Sequence, residues 1–420
     1  GHFSDKNAGE GKTVLLSNVD GLLTFSGSQA GHQNYVVRAD LGLSADISKR
    51  RLGVDGLEAS KVYDGNTSVT SFDSGSAAML TNAVAGDDLF FDATGVTGTY
   101  ADKNVGNDIA VTAKGFAIHG ADAGNYTLGD VSLSGKITPK QLTISLDGVE
   151  KTYDGTNFAN LGAANFVIDG FVLDEGGSIT QSNDGRYADK NAGTKTVTAQ
   201  VEDSDFALNT GTRLSNYTFE NEVTGEGTIH RLELMGVITD NPTKVYDGNA
   251  TAQLGTENVA LAGFIEGEGA SASFAGTKAG SYSDALTGEP QSNAGVWQVT
   301  ADGLTFDIEN DFAGDAGTLL TNYKLPEQLV GSGTITQRGL TCVGDCISLS
   351  YGGHPVRYYD GTYDVTLSAS DFTVNLTNFA PGEGAVVSKD IAGQFAQKDA
   401  GIGIPLSARV DKDKLEGTGT

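Results

Sequence analysis

Basic residues and long apolar runs are scarce in this sequence of 420 residues. Lysine and arginine number 27 against 54 aspartates and glutamates, so the formal net charge is −27 at pH 7. Nucleic acids and anionic membranes attract basic surfaces, so we expect no nucleic-acid partner and no membrane insertion of this segment. No apolar run is long enough to span a bilayer, and residues 1–20 lack the charged and apolar regions of a signal peptide.

Cysteine is limited to Cys342 and Cys346, and no nearby histidine or cysteine completes a zinc site with them. Gly344 and Asp345 lie between them and favour a turn, which brings two Cβ atoms close enough for a disulfide. We predict an intraloop disulfide and therefore an oxidising compartment. Two free thiols are the alternative.

Proline is also sparse, at 7 residues, whereas glycine occupies 58 positions without the period of three that collagen requires. Segments such as Leu142–Leu146 and Val197–Val201 alternate apolar with polar residues. No stretch keeps a helical periodicity beyond a turn or two. Short alternating segments between Gly, Asn and Asp residues predict an all-β protein.

A Tyr-Asp-Gly sequence occurs four times, each time separated by one residue from a preceding lysine or arginine. The tyrosines lie 90, 93 and 113 residues apart. This spacing is about the length of one small β-sandwich domain, roughly 100 residues. The four copies are Tyr63-Asp64-Gly65, Tyr153-Asp154-Gly155, Tyr246-Asp247-Gly248 and Tyr359-Asp360-Gly361.

Three further elements repeat in step with Tyr-Asp-Gly. They are a block close to Tyr-Ala-Asp-Lys-Asn-Ala-Gly at 3–9, 100–106, 187–193 and, degraded, 395–401, which we call the Asp-Lys-Asn-Ala-Gly block, an Asn-Tyr pair at 34–35, 125–126, 216–217 and 322–323, and a closing segment with isoleucine at 45–50, 135–140, 227–231 and 333–338. We therefore predict a first partial repeat (1–50), three whole repeats (51–140, 141–231 and a divergent 232–338) and a last partial repeat with the cysteine loop (339–420).

We predict that each repeat is an Ig-like, Greek-key β-sandwich and that the tandem array forms an extended rod. The segment Ile137–Leu142 runs almost directly from one repeat into the next without a Gly/Ser-rich spacer, which favours a stiff array. Both ends of the sequence fall inside a repeat, so we expect the natural protein to continue in both directions.

The Tyr-Asp-Gly sequence has a chemical and a structural interpretation. A phenol beside a carboxylate suggests an acid site, but a catalytic set is rarely repeated four times in one chain. In the structural interpretation glycine supplies a positive φ, aspartate accepts backbone N–H groups, and the buried tyrosine bonds a nearby carbonyl as in a tyrosine corner. We favour the structural turn and predict no catalytic residue.

Calcium is the one metal that the many acidic residues suggest. The Asp-Lys-Asn-Ala-Gly block lacks the alternating oxygen ligands and the terminal glutamate of an EF-hand loop, and a simple turn explains it. Calcium at the junctions between repeats stays the alternative, with Asp102, Asp122 and Asp189 as candidate ligands. The five histidines, His2, His32, His119, His230 and His354, form no metal-binding pair. We assign no metal site and no cofactor.

The only tryptophan, Trp297, stands where the preceding repeat has Lys195. An exposed indole at this position is a possible glycan contact through stacking on a sugar ring. A buried indole would instead cover the edge of the core. The sequence leaves both roles open.

The motifs quoted above resemble the YDG and MBG repeat families of filamentous-haemagglutinin-like adhesins from Gram-negative bacteria. The resemblance covers essentially the whole chain. It implies a repeat shaft that an outer-membrane partner exports by two-partner secretion. Similar arrays occur in biofilm-matrix adhesins that engage exopolysaccharide.

We therefore expect a non-enzymatic, extracellular adhesin shaft at the bacterial cell surface or in the biofilm matrix, supporting cell–cell or matrix adhesion. Its expected partners are exopolysaccharide or molecules on neighbouring cells. Exposed sheet edges leave self-association open as well. The alternative function is a carbohydrate-binding module, with or without calcium, whose aromatic and amide groups cluster around Trp297.

Overall fold

The computed structural model describes residues 1–16, 42–180, 185–349 and 355–419, and only the backbone of residues 73–78 and of residue 349. The Asn-Tyr pair at 34–35, His32 and His354 lie outside the described residues. Strands dominate the rest, and the predicted all-β class is confirmed. Described helical segments are single 3-10 turns at Ala123–Asn125, Ala163–Asn165, Asp203–Asp205, Leu214–Asn216, Thr256–Asn258, Gly303–Thr305, Leu320–Asn322, Ala369–Asp371 and Lys412–Lys414. None of them has the length or the apolar character needed to cross a membrane.

The chain forms two compact units. The first comprises residues 1–149, 158–188 and 196–227, and the second comprises residues 150–157, 189–195 and 228–420. The first partial repeat and the first whole repeat lie in the first unit, and the second whole repeat contributes to both. Their strands are β1 His2–Phe3, β2 Gly9–Leu15, β3 Ser44–Ile47, β4 Arg50–Val62, β5 Ser68–Val69, β6 Phe72–Thr81, β7 Phe90–Asp92, β8 Thr97–Tyr100, β9 Gly106–Lys114, β10 Ala117–His119, β11 Tyr126–Leu128, β12 Val131–Thr138, β13 Lys140–Gln141, β14 Thr143–Thr152, β15 Phe158–Ala159, β16 Phe166–Asp169, β17 Gly177–Ile179, β18 Gly185–Tyr187, β19 Gly193–Gln200, β20 Phe206–Leu208, β21 Tyr217–Thr218 and β22 Glu222–His230.

The third whole repeat and the last partial repeat lie in the second unit. Their strands are β23 Leu232–Glu233, β24 Met235–Ile238, β25 Thr243–Val245, β26 Thr251–Leu254, β27 Val259–Ala262, β28 Ala270–Ala272, β29 Lys278–Ser283, β30 Gly295–Asp302, β31 Phe312–Gly314, β32 Tyr323–Lys324, β33 Gln328–Thr336, β34 Thr341–Leu349, β35 Asp364–Leu367, β36 Phe372–Thr377, β37 Gly384–Val387, β38 Ile391–Phe395, β39 Leu406–Ala408 and β40 Leu415–Thr418.

Each whole repeat has one large sheet built on the same plan. The strand orders are β11-β4-β12-β9-β8-β5, with β6 also paired to β4, then β15-β18-β19-β22-β14-β16, and β26-β29-β30-β33-β24-β27, with β25 also paired to β33. In every case the closing strand, which is β12, β22 or β33, lies between the first long strand of the repeat, β4, β14 or β24, and the strand β9, β19 or β30.

Not all neighbouring strands are antiparallel. The closing strand β12 runs parallel to β4, and β33 runs parallel to β24 and β25. Short alternating strands predict antiparallel sandwiches, and that prediction is wrong at the centre of these two sheets. The reason is that the chain enters a repeat at one end along its first strand and leaves at the other end along its closing strand, so the two strands point the same way.

A small two-stranded sheet accompanies each large one, formed by β7 with β10, β17 with β20, and β28 with β31. In the third whole repeat a single buried cluster contains Val299 and Leu329 of the large sheet together with Phe312 of the small one, and Phe274 and Phe306 join them. These side chains form the core of a β-sandwich.

Glycine in the closing strand is dictated by aromatic packing. A Cβ atom on Gly227 would lie 2.7 Å from a methyl carbon of Val197 and 2.9 Å from the ring of Tyr187. Gly135 and Gly333 meet the same obstruction in their own repeats. The recurring Gly-x-Ile sequence thus follows from the buried tyrosine, Tyr100, Tyr187 or Tyr282, against which the glycine packs.

The buried core of the first unit crosses the boundary between two repeats. One cluster contains Tyr63 and Ile137 of the first whole repeat and Leu142, Val172 and Tyr217 of the second. The end of the first repeat is therefore packed on the beginning of the second, and the recurring motifs lie at this contact.

Candidate functional site

The Tyr-Asp-Gly segment forms a compact turn tied by the preceding basic residue. The Lys61 ammonium donates to the carboxylate of Asp64 at 2.6 Å and to the carbonyls of Asn66 and Ser68 at 2.7 and 3.0 Å. Asp64 also accepts the backbone N–H of Asn66, and Gly65 has a φ of +80°. Corresponding bonds join Lys151 to Asp154, Lys244 to Asp247 and Arg357 to Asp360.

The tyrosine of this turn points into the junction with the next repeat. Tyr63 is 1% exposed, and its ring packs edge-on against Tyr217 of the second whole repeat, with ring centroids 5.4 Å apart. Its hydroxyl donates to the carboxylate of Glu175 at 2.5 Å. The predicted bond to a nearby carbonyl is wrong for this tyrosine, because burial at the junction places it beside an acidic side chain instead.

Glu175 accepts a second phenol and lies near an ammonium group. Tyr217 donates to its other oxygen at 2.6 Å, and the Lys103 ammonium lies 3.4 Å away. A backbone hydrogen bond from Glu175 to the carbonyl of Val172 holds the carboxylate in a tight turn. We call this set, Tyr63, Tyr217, Glu175 and Lys103, the tyrosine–acid clamp.

The same clamp joins the second whole repeat to the third, within the second unit. Glu268 accepts Tyr153 at 2.7 Å and Tyr323 at 2.6 Å, and Lys190 lies 3.6 Å away. The rings of Tyr153 and Tyr323 are 5.4 Å apart at an interplanar angle of 81°. Two junctions separated by a whole repeat therefore have matching chemistry.

Burial and hydrogen bonding set the charge state of the clamp. Burial raises the pKa of Tyr217 and of Tyr153 to about 12, and the bonded carboxylate adds to the rise. Burial alone would raise the pKa of Glu175, but hydrogen bonds from Tyr217 and Tyr63, and Lys103, hold that pKa below its ordinary value. The clamp is thus an ionised carboxylate between two neutral phenols.

An asparagine pairing adds a second set of bonds to each junction. The backbone N–H of Val105 donates to the side-chain oxygen of Asn216 at 3.0 Å, and the Asn216 amide donates back to Asn104 at 2.9 Å. Asn216 is 1% exposed. The equivalent amide bonds run from Ala192 to Asn322 and from Ala8 to Asn125, each at 2.8 Å. The Asp-Lys-Asn-Ala-Gly block is therefore held by the Asn-Tyr pair of the following repeat.

Partial versions of the clamp occur at both ends of the described chain. Asp87 accepts Tyr126 at 2.6 Å and Lys6 at 3.1 Å. In the second unit the hydroxyl of Tyr246 donates to Glu383. The acidic position is thus shared by Asp87, Glu175, Glu268 and Glu383.

Sequence reasoning missed the acidic residue of the clamp. A signal was present, because Phe171, Phe264 and Phe379 each precede a Glu-Gly pair by four residues. Phe171 packs edge-on against Tyr217, and Phe264 packs against Tyr323. The motif Phe-x-x-x-Glu-Gly is therefore the partner of Asn-Tyr.

The other candidate residues lie apart from the clamp. The structure joins Cys342 and Cys346 in a disulfide within β34. Trp297 is half-buried against the core of the third whole repeat, and its indole N–H donates to the carbonyl of Asn293 at 2.7 Å. Tyr359 is 63% exposed, unlike the buried Tyr63 and Tyr153.

The candidate calcium ligands are separated and already engaged. Asp102 and Asp189 accept backbone N–H groups within their own turns, and Asp122 lies 3.0 Å from the ammonium of Lys6. In the described ranges no three His, Cys, Asp or Glu side chains come together in a way that could hold a metal ion.

Two segments of the chain match a known domain family. Residues 48–133 and 138–225 each match the model of the YDG domain. Both are YDG-type repeats. No curated protein matches the chain. The two matched YDG repeats are those whose mutual junction holds Tyr63, Glu175 and Tyr217. The equivalent junction with the third whole repeat joins Tyr153, inside a matched range, to Glu268, which lies beyond it.

Proposed function

We propose that this chain is the non-enzymatic repeat shaft of an extracellular bacterial adhesin. The shaft holds an adhesive region away from the cell surface and supports cell–cell or biofilm-matrix adhesion. Its partners are exopolysaccharide or surface molecules of neighbouring cells. The resemblance to filamentous-haemagglutinin-like proteins adds export by an outer-membrane secretion partner to the proposal.

The observation that carries this proposal is the recurrence of the tyrosine–acid clamp. Glu175 and Glu268 each receive two phenols from two successive repeats. A shaft must keep successive repeats from bending freely, and hydrogen bonds to a charged acceptor at each junction oppose such bending. Residues that recur with the repeat period serve the array as a whole, whereas a ligand site needs to occur only once.

The composition supports the same role. A net charge of −27 makes neighbouring chains repel one another and keeps a long array soluble. Repeats whose stability depends on nearest-neighbour interfaces are typical of extended load-bearing proteins. The connection from β12 to β13 is one residue, Pro139, which leaves little slack between the first and second whole repeats.

Exchange of repeats tests the proposal. Bacteria that display the protein would be compared with two variants, one lacking residues 141–231 and one in which those residues are replaced by a second copy of residues 51–140. A shaft predicts that the replacement keeps full adhesion and that the deletion weakens it through shorter reach. Loss of adhesion in the replacement variant would contradict a passive spacer.

A carbohydrate-binding module is the second candidate, favoured by one exposed aromatic surface. Phe90 is 58% exposed and stacks on His119, with ring centroids 5.3 Å apart and an interplanar angle of 23°. A flat aromatic surface of this kind can stack on a sugar ring. Binding of exopolysaccharide that Phe90→Ala abolishes, while Phe158→Ala leaves it unchanged, would favour this function over the shaft.

A further inference from the structure

The outer surface of the large sheet in the third whole repeat carries almost no charge. Its inner surface packs on the buried cluster that contains Val299, Leu329 and Phe312. Along β24, β27, β30 and β33, all of them within the described residues, the positions that alternate with the buried ones hold only Met, Val, Ala, Ser, Thr and Gln, except for Asp302 at the end of β30. We call this surface the neutral face, and its residues include Met235, Val237, Val296, Val330, Ser332 and Thr334.

Large apolar side chains lie exposed on the neutral face. Met235 is 64% exposed, Val237 44% and Val330 36%. Val237 is the pairing partner of Val330 across β24 and β33, and on its other side it pairs with Ala260 of β27. These side chains therefore form one continuous apolar patch. A continuous apolar patch on a folded protein indicates an interaction surface.

The corresponding surfaces of the other two whole repeats are charged. On the closing strand β22 of the second whole repeat the outward positions hold Glu222 and Glu226, where β33 has Gln328 and Ser332. In the first whole repeat Lys136 of β12 occupies this surface. The third whole repeat thus differs from the other two in the loss of charge from the outer surface of its sheet.

We propose that the neutral face packs on the neutral face of a second copy of this chain and forms a symmetric dimer. Sheets that pack face to face lie about 10 Å apart, and their side chains interdigitate. Val, Ala, Ser and Thr side chains are small enough to do so, and they leave no buried charge without a partner. A twofold axis lets one surface serve as both halves of the contact. This dimer goes beyond the shaft function and does not depend on it.

The neutral face is large enough for a weak dimer. Six strands lie side by side in its sheet, in the order β26-β29-β30-β33-β24-β27. At a spacing of about 4.8 Å the sheet is roughly 25 Å wide, and strands of about six residues are roughly 20 Å long. The planar area of roughly 500 Å² on each chain gives about 1,000 Å² in total, which is the lower limit of a specific interface. The dimer should therefore depend on chain concentration.

The charge of the chain favours a second copy as the occupant. With a net charge of −27, the chain attracts basic partners to its acidic surfaces and not to a face without carboxylates. Two copies repel each other wherever acidic surfaces approach within the Debye length of about 8 Å at physiological ionic strength. The neutral face lets two copies come into contact without opposing carboxylates, and an identical face matches it in polarity.

Sedimentation velocity of the full chain tests the dimer. In a buffer with a chelator, a concentration series from about 1 to 100 µM should show a reversible monomer–dimer equilibrium. Raising NaCl from about 0.05 to 0.5 M should strengthen the dimer about threefold, because salt screens the repulsion between two acidic chains and leaves the burial of apolar surface intact. Association that weakens in salt would mean that ion pairs hold the copies together, and it would overturn the proposal.

A charge at the middle of the neutral face should prevent the contact. Val330 lies on β33, one of the two central strands of the six, and its side chain is partly exposed, so a charge there leaves the core intact. Val330→Glu and Val330→Lys should each weaken the dimer about tenfold, and an equimolar mixture of the two should associate again because opposite charges then meet. Thr224→Glu, at the equivalent position of the second whole repeat, should leave the dimer unchanged. Circular dichroism should show the wild-type spectrum for each variant.

Three results would contradict the dimer. They are a wild type that stays monomeric throughout the series, a dimer that survives Val330→Glu, and a mixture of the Val330→Glu and Val330→Lys chains that stays monomeric. If a monomeric wild type instead binds purified exopolysaccharide and Val330→Glu abolishes that binding, a glycan is the occupant and the dimer is wrong.

Discussion

The phenol of Tyr63 donates a hydrogen bond of 2.5 Å to the carboxylate of Glu175, although 112 residues separate them in the chain. Tyr63 directly follows the first whole repeat's long strand β4, and Glu175 lies in a turn of the second whole repeat. The most regular sequence motif of the protein is therefore half of a contact between repeats. Five measurements follow from this relationship and its neighbours.

Removal of one phenol should weaken the junction. Tyr63→Phe deletes a hydrogen bond to a partly buried, ionised carboxylate, and we expect the free energy of unfolding to fall by about 1.5–3 kcal/mol. Urea unfolding followed by tyrosine fluorescence measures the change. Tyr359→Phe is the matched control, since that ring occupies the same motif position but is 63% exposed. If Tyr359→Phe lowers the free energy of unfolding as much as Tyr63→Phe does, the tyrosine hydroxyl acts within its own turn and not across the junction.

The clamp should make stability depend on acid. Hydrogen bonds hold the pKa of Glu175 and Glu268 below the ordinary value of 4.5, after outweighing the opposite effect of burial. Because the folded-state pKa is depressed, the stabilisation is present above pH 4.5 and is lost as the pH falls through the folded-state pKa. A chain with both Glu175→Gln and Glu268→Gln should lose less stability than the wild type on acidification below that value. Thermal unfolding at a series of pH values gives the melting temperature of each protein as a function of pH. If the melting temperatures of the variant and the wild type fall in parallel below that pH, the account is contradicted.

The buried asparagine of the Asn-Tyr pair should be as important as the tyrosine. Asn216→Ala leaves the N–H of Val105 without its acceptor, which costs about 1–3 kcal/mol when the group stays buried. Amide hydrogen exchange should accelerate at Val105 while the amides of β9 stay protected. Asn209→Ala, an exposed position of the same repeat, provides the control. Unchanged exchange at Val105 would show that water replaces the asparagine without loss.

A methyl group in the closing strand should disrupt the sheet. Gly227→Ala brings a Cβ atom within 2.9 Å of the carbonyl oxygen of Val149, the side chain of Val197 and the ring of Tyr187. We expect a destabilisation of about 1–3 kcal/mol from overpacking. Gly124→Ala, where no atom lies within 4 Å of the added carbon, should change stability by less than about 1 kcal/mol. Circular dichroism during thermal unfolding distinguishes the two variants.

The all-β class could be predicted from the sequence because the alternation of apolar and polar residues and the glycine-rich turns are local signals. Segments such as Leu142–Leu146 predict a strand from a few residues alone. The parallel pairing of β4 with β12 could not be predicted in this way. It depends on where the chain enters and leaves a repeat, which is a property of the whole unit.

Only part of the candidate site could be predicted from the sequence. The repetition of Tyr63 and Asn216 marked them as important, and the turn chemistry of Asp64 and Gly65 follows from the residue types. The partners of Tyr63 could not be assigned, because Glu175 belongs to another repeat and the three residues that precede it differ from those in the other repeats. The recurring Phe-x-x-x-Glu-Gly sequence is the signal by which an array of this kind identifies its clamp.

A double-mutant cycle between Tyr63→Phe and Glu175→Gln tests the central claim most directly. The free energy of unfolding would be measured for the wild type, both single variants and the double variant under one set of conditions. Residues that share a hydrogen bond are expected to be coupled by about 0.5–3 kcal/mol, so the double variant should be less damaged than the sum of the two single variants. If the two effects add within about 0.3 kcal/mol, the phenol and the carboxylate do not act together and the clamp does not join the repeats.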